Sequence, residues 1–259
     1  MTTDLDVALE AARAGAEVIR SAFGKPADPR FKSSEVDPVT ETDKAAESAI
    51  LAVIGSRRPD DVTLSEESGG AGWDGPRVWI TDPLDGTVNF IHGFPHVAVS
   101  VALWDNGLPI AGVVIDVVHR EEFTAITGGG AFLNGEPIRV SDQTELVRSL
   151  IVTGFPYDRR ENADRYTRVL KRVLSNIQGI RRTGSAALDM CYVACGRVDG
   201  YWEYGLGPWD AAASLIAVSE AGGIWTGFEG GAYRLGSDGV VVTNGLIHAE
   251  LTATVGNGT

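Results

Sequence analysis

Two aspartates, Asp82 and Asp85, stand three residues apart in the segment 79–90, WITDPLDGTVNF. Its apolar residues predict a strand that ends at Asp82, and the proline that follows and Gly86 predict a turn that returns Asp85 to the same place. Two carboxylates on such a turn can share a hard cation, and the N–H groups of Gly86 and Thr87 can bind phosphate oxygens. An acidic β-turn without a ligand explains the same residues, because Asp, Pro and Gly all favour turns.

Three other cation or phosphate motifs do not fit this segment. An EF-hand loop has acids at positions 1, 3 and 5 and glycine at 6, whereas the acids here stand at 1 and 4 and the glycine at 5. A P-loop ends in Gly-Lys-Ser/Thr, which the chain lacks. A phosphatase of the haloacid dehalogenase type needs Asp-x-Asp, and two residues separate the acids here.

Further acidic residues can complete such a cluster. Glu66 and Glu67 follow a predicted strand, Asp210 begins a predicted helix, and Asp43 stands three residues after Thr40. Each also has an ordinary structural explanation: an exposed strand end for the glutamates, an N-cap for Asp210 and a capping box for Thr40 and Asp43. Because all of these candidate ligands are oxygens, the set favours Mg²⁺ or Mn²⁺ over zinc.

Composition limits the partners of the chain. Its net charge of −13 disfavours nucleic acid and anionic membrane surfaces. Residues 1–9 contain acids and no apolar run, and no stretch approaches about 18 apolar residues. We therefore expect no signal peptide, no membrane span and a cytoplasmic location. The two cysteines, Cys191 and Cys195, are expected to be reduced core residues.

Apolar periodicity predicts the elements that must position these residues. Predicted helices cover about 2–23, 41–56, 162–175, 185–195, 209–221 and 246–255. Predicted strands cover 62–65, 77–81, 97–104, 110–118, 121–127, 150–153, 198–202, 223–226 and 240–243. We expect one domain over 1–259, in which a strand-rich half, about 1–148, and an α/β half, about 149–259, share a core and enclose the site.

The chain resembles the inositol monophosphatase family of lithium-sensitive, magnesium-dependent phosphatases. The resemblance covers nearly the whole chain and is carried by DPLDGTxNF at 82–90, WDAA at 209–212 with EAGG at 220–223, the Glu66-Glu67 pair, DxVTxxD at 37–43 and Lys32-Ser33-Ser34. It implies a layered α/β/α/β/α sandwich of the inositol monophosphatase and fructose-1,6-bisphosphatase type, and a homodimer.

The resemblance also implies two or three metal positions, with Mn²⁺ as a substitute for Mg²⁺. The first ion would be held by Glu66, Asp82 and the carbonyl oxygen of Leu84. The second would be held by Asp82, Asp85 and Asp210. A third, weaker ion would lie near Glu66. Two ions of this kind can activate water and stabilise the leaving alkoxide in phosphate-monoester hydrolysis.

Two further groups of residues receive roles from the resemblance. Thr87, paired with Asp43, would orient or deprotonate the attacking water, and the amides of Gly86 and Thr87 would bind phosphate. The substrate-facing positions are Gly184, Ser185, Ala186 and Glu203, of which the glutamate would accept hydrogen bonds from ring hydroxyls. An N-cap is the ordinary structural explanation for Ser185.

These implications predict Mg²⁺-dependent hydrolysis of a small phosphorylated polyol or sugar, with inositol 1-phosphate as the first candidate. The same site acting on fructose 1,6-bisphosphate, histidinol phosphate or a nucleotide 3′-phosphate is the main alternative. A second phosphate would need an added basic pocket, for which Arg181 and Arg182 are candidates. A regulatory protein-binding role is a further alternative, although the acidic chain has no basic patch suited to RNA.

Overall fold

The computed structural model describes residues 2–25, 29–32 and 37–256, which contain both helices and strands. Ser33 and Ser34 of the resemblance lie outside these residues. The helices of the described residues are α1 (Asp4–Ala22), α2 (Glu41–Arg57), α3 (Thr87–His92), α4 (Arg159–Leu174), α5 (Ala186–Ala194), α6 (Pro208–Glu220) and α7 (His248–Gly256), with a 3₁₀ turn at Leu146–Arg148. None of them is both long enough and apolar enough to cross a membrane.

The strands of the described residues form three sheets. Their bounds are β1 (Arg30–Phe31), β2 (Pro38–Val39), β3 (Val62–Ser65), β4 (Gly69–Gly70), β5 (Val78–Asp85), β6 (Ala98–Asp105), β7 (Leu108–Asp116), β8 (Glu121–Ile126), β9 (Gly130–Leu133), β10 (Glu136–Pro137), β11 (Leu150–Thr153), β12 (Gly179–Arg181), β13 (Gly200–Tyr204), β14 (Ile224–Thr226) and β15 (Gly239–Thr243). The large sheet has the order β10-β9-β8-β7-β6-β5-β3-β4, and the smaller has β12-β11-β13-β15-β14. β1 and β2 form a hairpin.

Both large faces of the eight-stranded sheet are apolar, because side chains alternate between faces along each strand. Trp79 of β5 and Val99 of β6 pack with α1 and α2, while Ile80 and Ala102 pack with α5 and α6. Burying each such side chain stabilises the fold by roughly 1.5–3 kcal/mol. The sheet is therefore covered by one helical layer on each side.

The five-stranded sheet repeats this arrangement. Val152 and Tyr201 face α5 and α6, whereas Ile151 and Trp202 face the outer helices α4 and α7. The layers thus follow the order α, β, α, β, α. The expected layered sandwich is confirmed.

The central helix α6 lies directly on strand β7. A β-carbon on Gly112 would be 2.6 Å from the carbonyl oxygen of Ala213, so only glycine permits this close approach. The contact fixes the height of α6 above the large sheet. It thereby sets the position of Asp210, which stands in the first turn of α6.

Most predicted elements are present with small shifts at their ends, and two interpretations were wrong. Strand β5 does not end at Asp82 but continues to Asp85. Asp210 is not the N-cap of α6, because Gly207 occupies that position and Asp210 is the third helical residue. The two cysteines are free, as expected.

Candidate active site

A bulge in strand β5 brings two carboxylates to one end of the large sheet. Asp82 is opposite Ser100 and Asp85 is opposite Ala98, so three residue steps on β5 match two on β6. Pro83 lies inside the bulge, where its missing N–H costs no ladder hydrogen bond. The N–H of Leu84 instead donates to Oδ1 of Asp82 at 3.0 Å. A β-bulge, rather than the turn predicted from the sequence, therefore brings the two carboxylates together.

Gly86 ends the bulged strand and starts helix α3. Its φ of +95° is in the left-handed region, which favours glycine. A β-carbon at this position would also lie 2.9 Å from the carbonyl oxygen of His96. Both constraints require glycine, and together they place Thr87 as the first residue of α3, beside the carboxylates.

Three carboxylates meet at this point. Asp82, Asp85 and Asp210 each offer one oxygen, and these oxygens all lie within 4.8 Å of one another. Each residue uses an oxygen to fix its orientation: Asp85 Oδ2 accepts from Ser185 Oγ at 2.6 Å, and Asp210 Oδ2 accepts from Gly207 N at 2.6 Å. Ala187 N also donates to Asp85 Oδ2, at 2.7 Å. Each of the three carboxylates thus has a fixed orientation and offers one oxygen toward the same point.

Burial and mutual repulsion make this group of acids unstable as anions. Burial raises the pKa of Asp82 well above its ordinary value, and the charges of Glu66, Asp85 and Asp210 raise it further. Burial raises the pKa of Asp85 to about 6, and burial followed by the charge of Glu66 raises that of Asp210. A bound divalent cation would offset both the cost of burying these negative charges and their mutual repulsion. The all-oxygen donor set fits a hard cation such as Mg²⁺.

Glu66 lies beside this triad but is engaged by a cation of the chain. Its Oε1 accepts from Lys32 Nζ at 2.8 Å, and the same ammonium donates to Glu67 Oε1 at 2.5 Å. Burial raises the pKa of Glu67 to about 7. The structure thus brings Glu66 to the wall of the triad's cavity and shows Lys32 neutralising it.

Thr87 and Asp43 are hydrogen-bonded to each other. Thr87 Oγ1 is 3.1 Å from Asp43 Oδ1 and 3.2 Å from the Leu84 carbonyl oxygen, and it donates to these acceptors. Asp43 Oδ2 accepts from Thr40 N at 2.9 Å and from Thr40 Oγ1 at 2.5 Å. The capping box of α2 is therefore present. It also holds the carboxylate that orients the Thr87 hydroxyl.

Two adjoining cavities open from the triad. The first, of about 260 Å³, contains the carboxylates, Leu84 and Thr87. The second, of about 350 Å³, is lined by Gly184, Ala186 and Glu203. Their shared lining is Asp85, Gly86, Tyr157, Gly205 and Asp210. An ester bond at the triad would thus have its alcohol portion in the second cavity.

Glu203 is held on the wall of the second cavity by close packing. Its Oε2 accepts from Tyr201 Oη at 2.5 Å, and burial raises its pKa to about 8. A β-carbon on Gly154 would lie 2.1 Å from Glu203 Oε2. Gly154 is therefore required by the position of the glutamate.

Sequence reasoning missed several residues that support the site. These are Gly154, Tyr157 and Arg159 on the cavity wall, and the buried Asp189, whose Oδ1 accepts from Thr183 Oγ1. Asp189 Oδ1 also lies 3.3 Å from His96 Nε2. No sequence motif marks these residues, and the contact of Asp189 with His96 joins positions 93 apart in the sequence.

Comparisons with known proteins agree with this geometry. The sequence profile of the inositol monophosphatase family matches residues 1–258. Inositol-1-monophosphatase from Synechocystis sp. is 44% identical over 253 residues, covering 97% of this chain and 88% of that protein. Nus factor SuhB from Pseudomonas aeruginosa is 41% identical over 257 residues, covering 97% and 95%. The structure of inositol monophosphatase from Anabaena (Nostoc) sp. superposes with a TM-score of 0.89 at 41% identity, covering 98% and 96%. With its fold, its acidic triad and this match, the chain belongs to the inositol monophosphatase family.

Proposed function

We propose that this protein hydrolyses inositol 1-phosphate to inositol and phosphate in a Mg²⁺-dependent reaction. Metal-dependent hydrolysis of a phosphate monoester is the activity of its family. The observation that carries the proposal is the convergence of Asp82, Asp85 and Asp210 within 4.8 Å beside a cavity walled by Glu203. This arrangement supports cleavage at the triad and recognition of an alcohol next to it.

Five groups of the chain would hold the metal ions. They are the carboxylates of Glu66, Asp82, Asp85 and Asp210 and the carbonyl oxygen of Leu84, all of which line one cavity. When bound, Mg²⁺ ions supply positive charge at the phosphate and promote deprotonation of water. Because Lys32 engages Glu66, this ammonium must move aside when Glu66 acts as a ligand.

Thr87 and Asp43 orient the attacking water in this proposal. The hydrogen of Thr87 Oγ1 is directed to Asp43 Oδ1 or the Leu84 carbonyl. The oxygen lone pairs of Thr87 are therefore free to accept a hydrogen bond from water. This acceptor fixes the water for in-line attack on phosphorus, and positioning of this kind is a large part of phosphoryl-transfer catalysis.

The remaining groups hold the two ends of the substrate. The N–H groups of Gly86 and Thr87 lie where the chain turns into α3 and bind phosphate oxygens. Gly184, Ser185 and Ala186 form the adjoining turn, and Glu203 binds hydroxyl groups of the polyol. Because burial raises the Glu203 pKa to about 8, this carboxyl can donate as well as accept hydrogen bonds at neutral pH.

The proposal is tested by phosphate release from four substrates, with Mg²⁺ and with a chelator. The substrates are inositol 1-phosphate, fructose 1,6-bisphosphate, histidinol phosphate and 3′-phosphoadenosine 5′-phosphate. We expect the highest kcat/KM for inositol 1-phosphate and its loss on chelation. Preference for another substrate would contradict the inositol assignment while leaving the metal site intact.

A second role, in binding another protein, is favoured by one observation. Several relatives that cover most of this chain are named Nus factor SuhB. An affinity experiment that compares the wild-type protein with Asp82→Asn, with and without Mg²⁺, separates this role from catalysis. A partner that is retained in all four conditions would establish it, and its absence would leave hydrolysis alone.

A further inference from the structure

A closed ring of hydrogen bonds joins four residues from two distant parts of the chain. Asn89 Nδ2 donates to the carbonyl oxygens of His96, at 2.8 Å, and Thr183, at 2.9 Å. The side chains of His96 and Thr183 meet at Asp189 Oδ1, which accepts from Thr183 Oγ1 and lies 3.3 Å from His96 Nε2. Each member of this hydrogen-bonded ring therefore contacts two others.

The hydrogen-bonded ring connects the two segments that flank the active site. Asn89 is the third residue of α3, and His96 precedes β6. Thr183 follows β12, and Asp189 lies in the first half of α5. The cross-links from Asn89 to Thr183 and from His96 to Asp189 span 94 and 93 positions of sequence. The ring thus ties the start of α3, with its proposed phosphate-binding amides, to the turn that leads into α5.

Burial makes the arrangement of the hydrogen-bonded ring specific. Asp189 is 1% exposed, His96 5% and Asn89 8%. A buried polar group that loses its partner is costly, and a buried carboxylate is more so. Breaking any one bond would leave such a group without that partner. The ring should therefore hold its four members in one arrangement.

Two glycine turns touch beside the Asn89 amide. A β-carbon on Gly86 would lie 2.9 Å from the carbonyl oxygen of His96 and 3.2 Å from that of Gly184. A β-carbon on Gly184 would lie 3.2 Å from Asn89 Nδ2. The turn at Gly86 and the turn at Gly184 are thus in close contact, and Asn89 packs against both.

The turn at Gly184 has a second attachment, which acts on a different group. Asp85 Oδ2 accepts from Ser185 Oγ and from Ala187 N, so the start of α5 is fixed to a carboxylate of the triad. The hydrogen-bonded ring acts earlier in the chain, at Thr183 and against Gly184, which lines the second cavity. The first attachment therefore orients a proposed metal ligand, whereas the ring places the wall of the cavity.

None of the four ring members is among the residues that line the described walls of the two cavities. We propose that Asn89, His96, Thr183 and Asp189 are positioning residues that hold the cavity for the alcohol portion in register with the phosphate site. This inference rests on the proposed function, because it takes the turn at Gly86 as the phosphate site and the second cavity as the alcohol site. A displacement of about 1 Å between reacting groups can reduce the rate on the order of a hundredfold.

The test opens the hydrogen-bonded ring from two sides and measures hydrolysis of whichever of the four substrates the wild-type protein prefers. Thr183→Val keeps the shape of the side chain and removes the hydroxyl, whereas Asn89→Leu removes both amide donors. Thr183→Ser keeps the hydroxyl and is the matched control. We expect kcat/KM to fall about tenfold in Thr183→Val and up to about a hundredfold in Asn89→Leu, and to stay within about threefold of wild type in Thr183→Ser.

Three further measurements distinguish positioning from general damage to the site. The Mg²⁺ concentration for half-maximal activity should change by less than about threefold in each variant, because Ser185 and Ala187 still orient Asp85. The inhibition constant for inorganic phosphate should be equally stable, because phosphate needs no contact with the second cavity. The double variant Asn89→Leu/Thr183→Val should be no slower than Asn89→Leu, because both changes open the same ring.

The outcomes also separate this inference from the proposed function. Unchanged kcat/KM in both Thr183→Val and Asn89→Leu would overturn it, and so would parallel losses of Mg²⁺ and phosphate affinity or additive losses in the double variant. If Asn89→Leu does not fold, the comparison of Thr183→Val with Thr183→Ser decides. Preference for a substrate other than inositol 1-phosphate, with the expected losses, would support the positioning role and contradict the inositol assignment. No turnover of any of the four substrates would contradict both.

Discussion

The hydroxyl of Ser185 donates a 2.6 Å hydrogen bond to Oδ2 of Asp85, across 100 positions of sequence. Ser185 is also the N-cap of α5, where it accepts from Leu188 N. The Ser185 side chain thus caps helix α5 and also orients a carboxylate of the triad. The N-cap expected from the sequence is therefore present, whereas the Ser185 side chain is buried and is not among the residues that line the second cavity.

Removing this hydroxyl should weaken metal binding. In Ser185→Ala we expect the Mg²⁺ concentration for half-maximal activity to rise about ten- to hundredfold, because groups that orient metal ligands contribute by that amount. Loss of the cap should also lower stability by roughly 0.5–2 kcal/mol. Ser185→Thr keeps the hydroxyl and is the matched control. Unchanged Mg²⁺ dependence in Ser185→Ala would show that Ala187 N alone orients Asp85.

The central carboxylate of the triad should be essential for catalysis but not for folding. In Asp82→Asn we expect phosphate release to fall by about 100-fold or more, since the proposed direct ligand is lost and groups that only orient ligands already contribute roughly 10- to 100-fold. The metal-free protein should melt no lower than wild type, because the charges of Glu66, Asp85 and Asp210 already oppose ionisation of Asp82. The rise in Tm on adding Mg²⁺ should disappear.

The control for this variant is Asp74→Asn, an exposed acid that lines a different cavity. It should keep both phosphate release and the Mg²⁺-dependent rise in Tm. An Asp82→Asn protein that remains active and still gains Tm with Mg²⁺ would exclude the assignment of Asp82 as a metal ligand. Differential scanning fluorimetry and a phosphate-release assay measure the two properties on the same samples.

Much of the fold could be predicted, because local sequence determines it. The apolar strand β6, the alternating strand β8 and the capped helices α1 and α2 follow from apolar residues and capping residues. Strands β9 and β12 were missed because they are short and half-exposed. The extension of β5 to Asp85 was missed because proline is normally a strand breaker, and only pairing with β6 reveals the bulge.

The candidate site, like the fold, could be predicted only in part from the sequence. The DPLDGT motif and Asp210 could be identified from residue types, and the structure brings Asp82, Asp85 and Asp210 together. The cavity wall could not be identified, because Gly154 matters only through its distance to Glu203, 49 positions later in the sequence. The ion pair of Lys32 with Glu66 likewise depends on the fold rather than on local spacing.

The hydroxyl of Thr87 should act on turnover more than on binding. We expect Thr87→Ala to lower kcat by about 10²–10⁴-fold, the range for groups that assist proton transfer, with a much smaller change in the KM for substrate. Thr87→Ser keeps the hydroxyl beside Asp43 and should retain most activity. Steady-state kinetics at saturating Mg²⁺ distinguish these cases. A loss confined to KM would assign Thr87 to phosphate binding alone.

Glu203 should make the stability of the metal-free protein depend on pH. Its ordinary pKa of 4.5 is raised to about 8 by burial in the folded protein. Between these values the unfolded chain releases the proton while the folded protein keeps it. The folded state therefore binds more protons in this window, and the Glu203 contribution to stability falls as pH rises. Below 4.5 and above 8 both states carry the same charge at this residue, so the slope vanishes.

Glu203→Gln removes this titration and keeps the size of the side chain. We expect its free energy of unfolding, relative to wild type, to increase between pH 5 and pH 8 by an amount on the order of a few kcal/mol. Urea unfolding of both proteins with a chelator, at pH 5, 7 and 9, measures the difference. The other acids titrate in both proteins, so the difference reports Glu203. A difference that does not vary with pH would mean that Glu203 ionises normally in the folded protein, and the cavity wall would then carry a full negative charge at neutral pH.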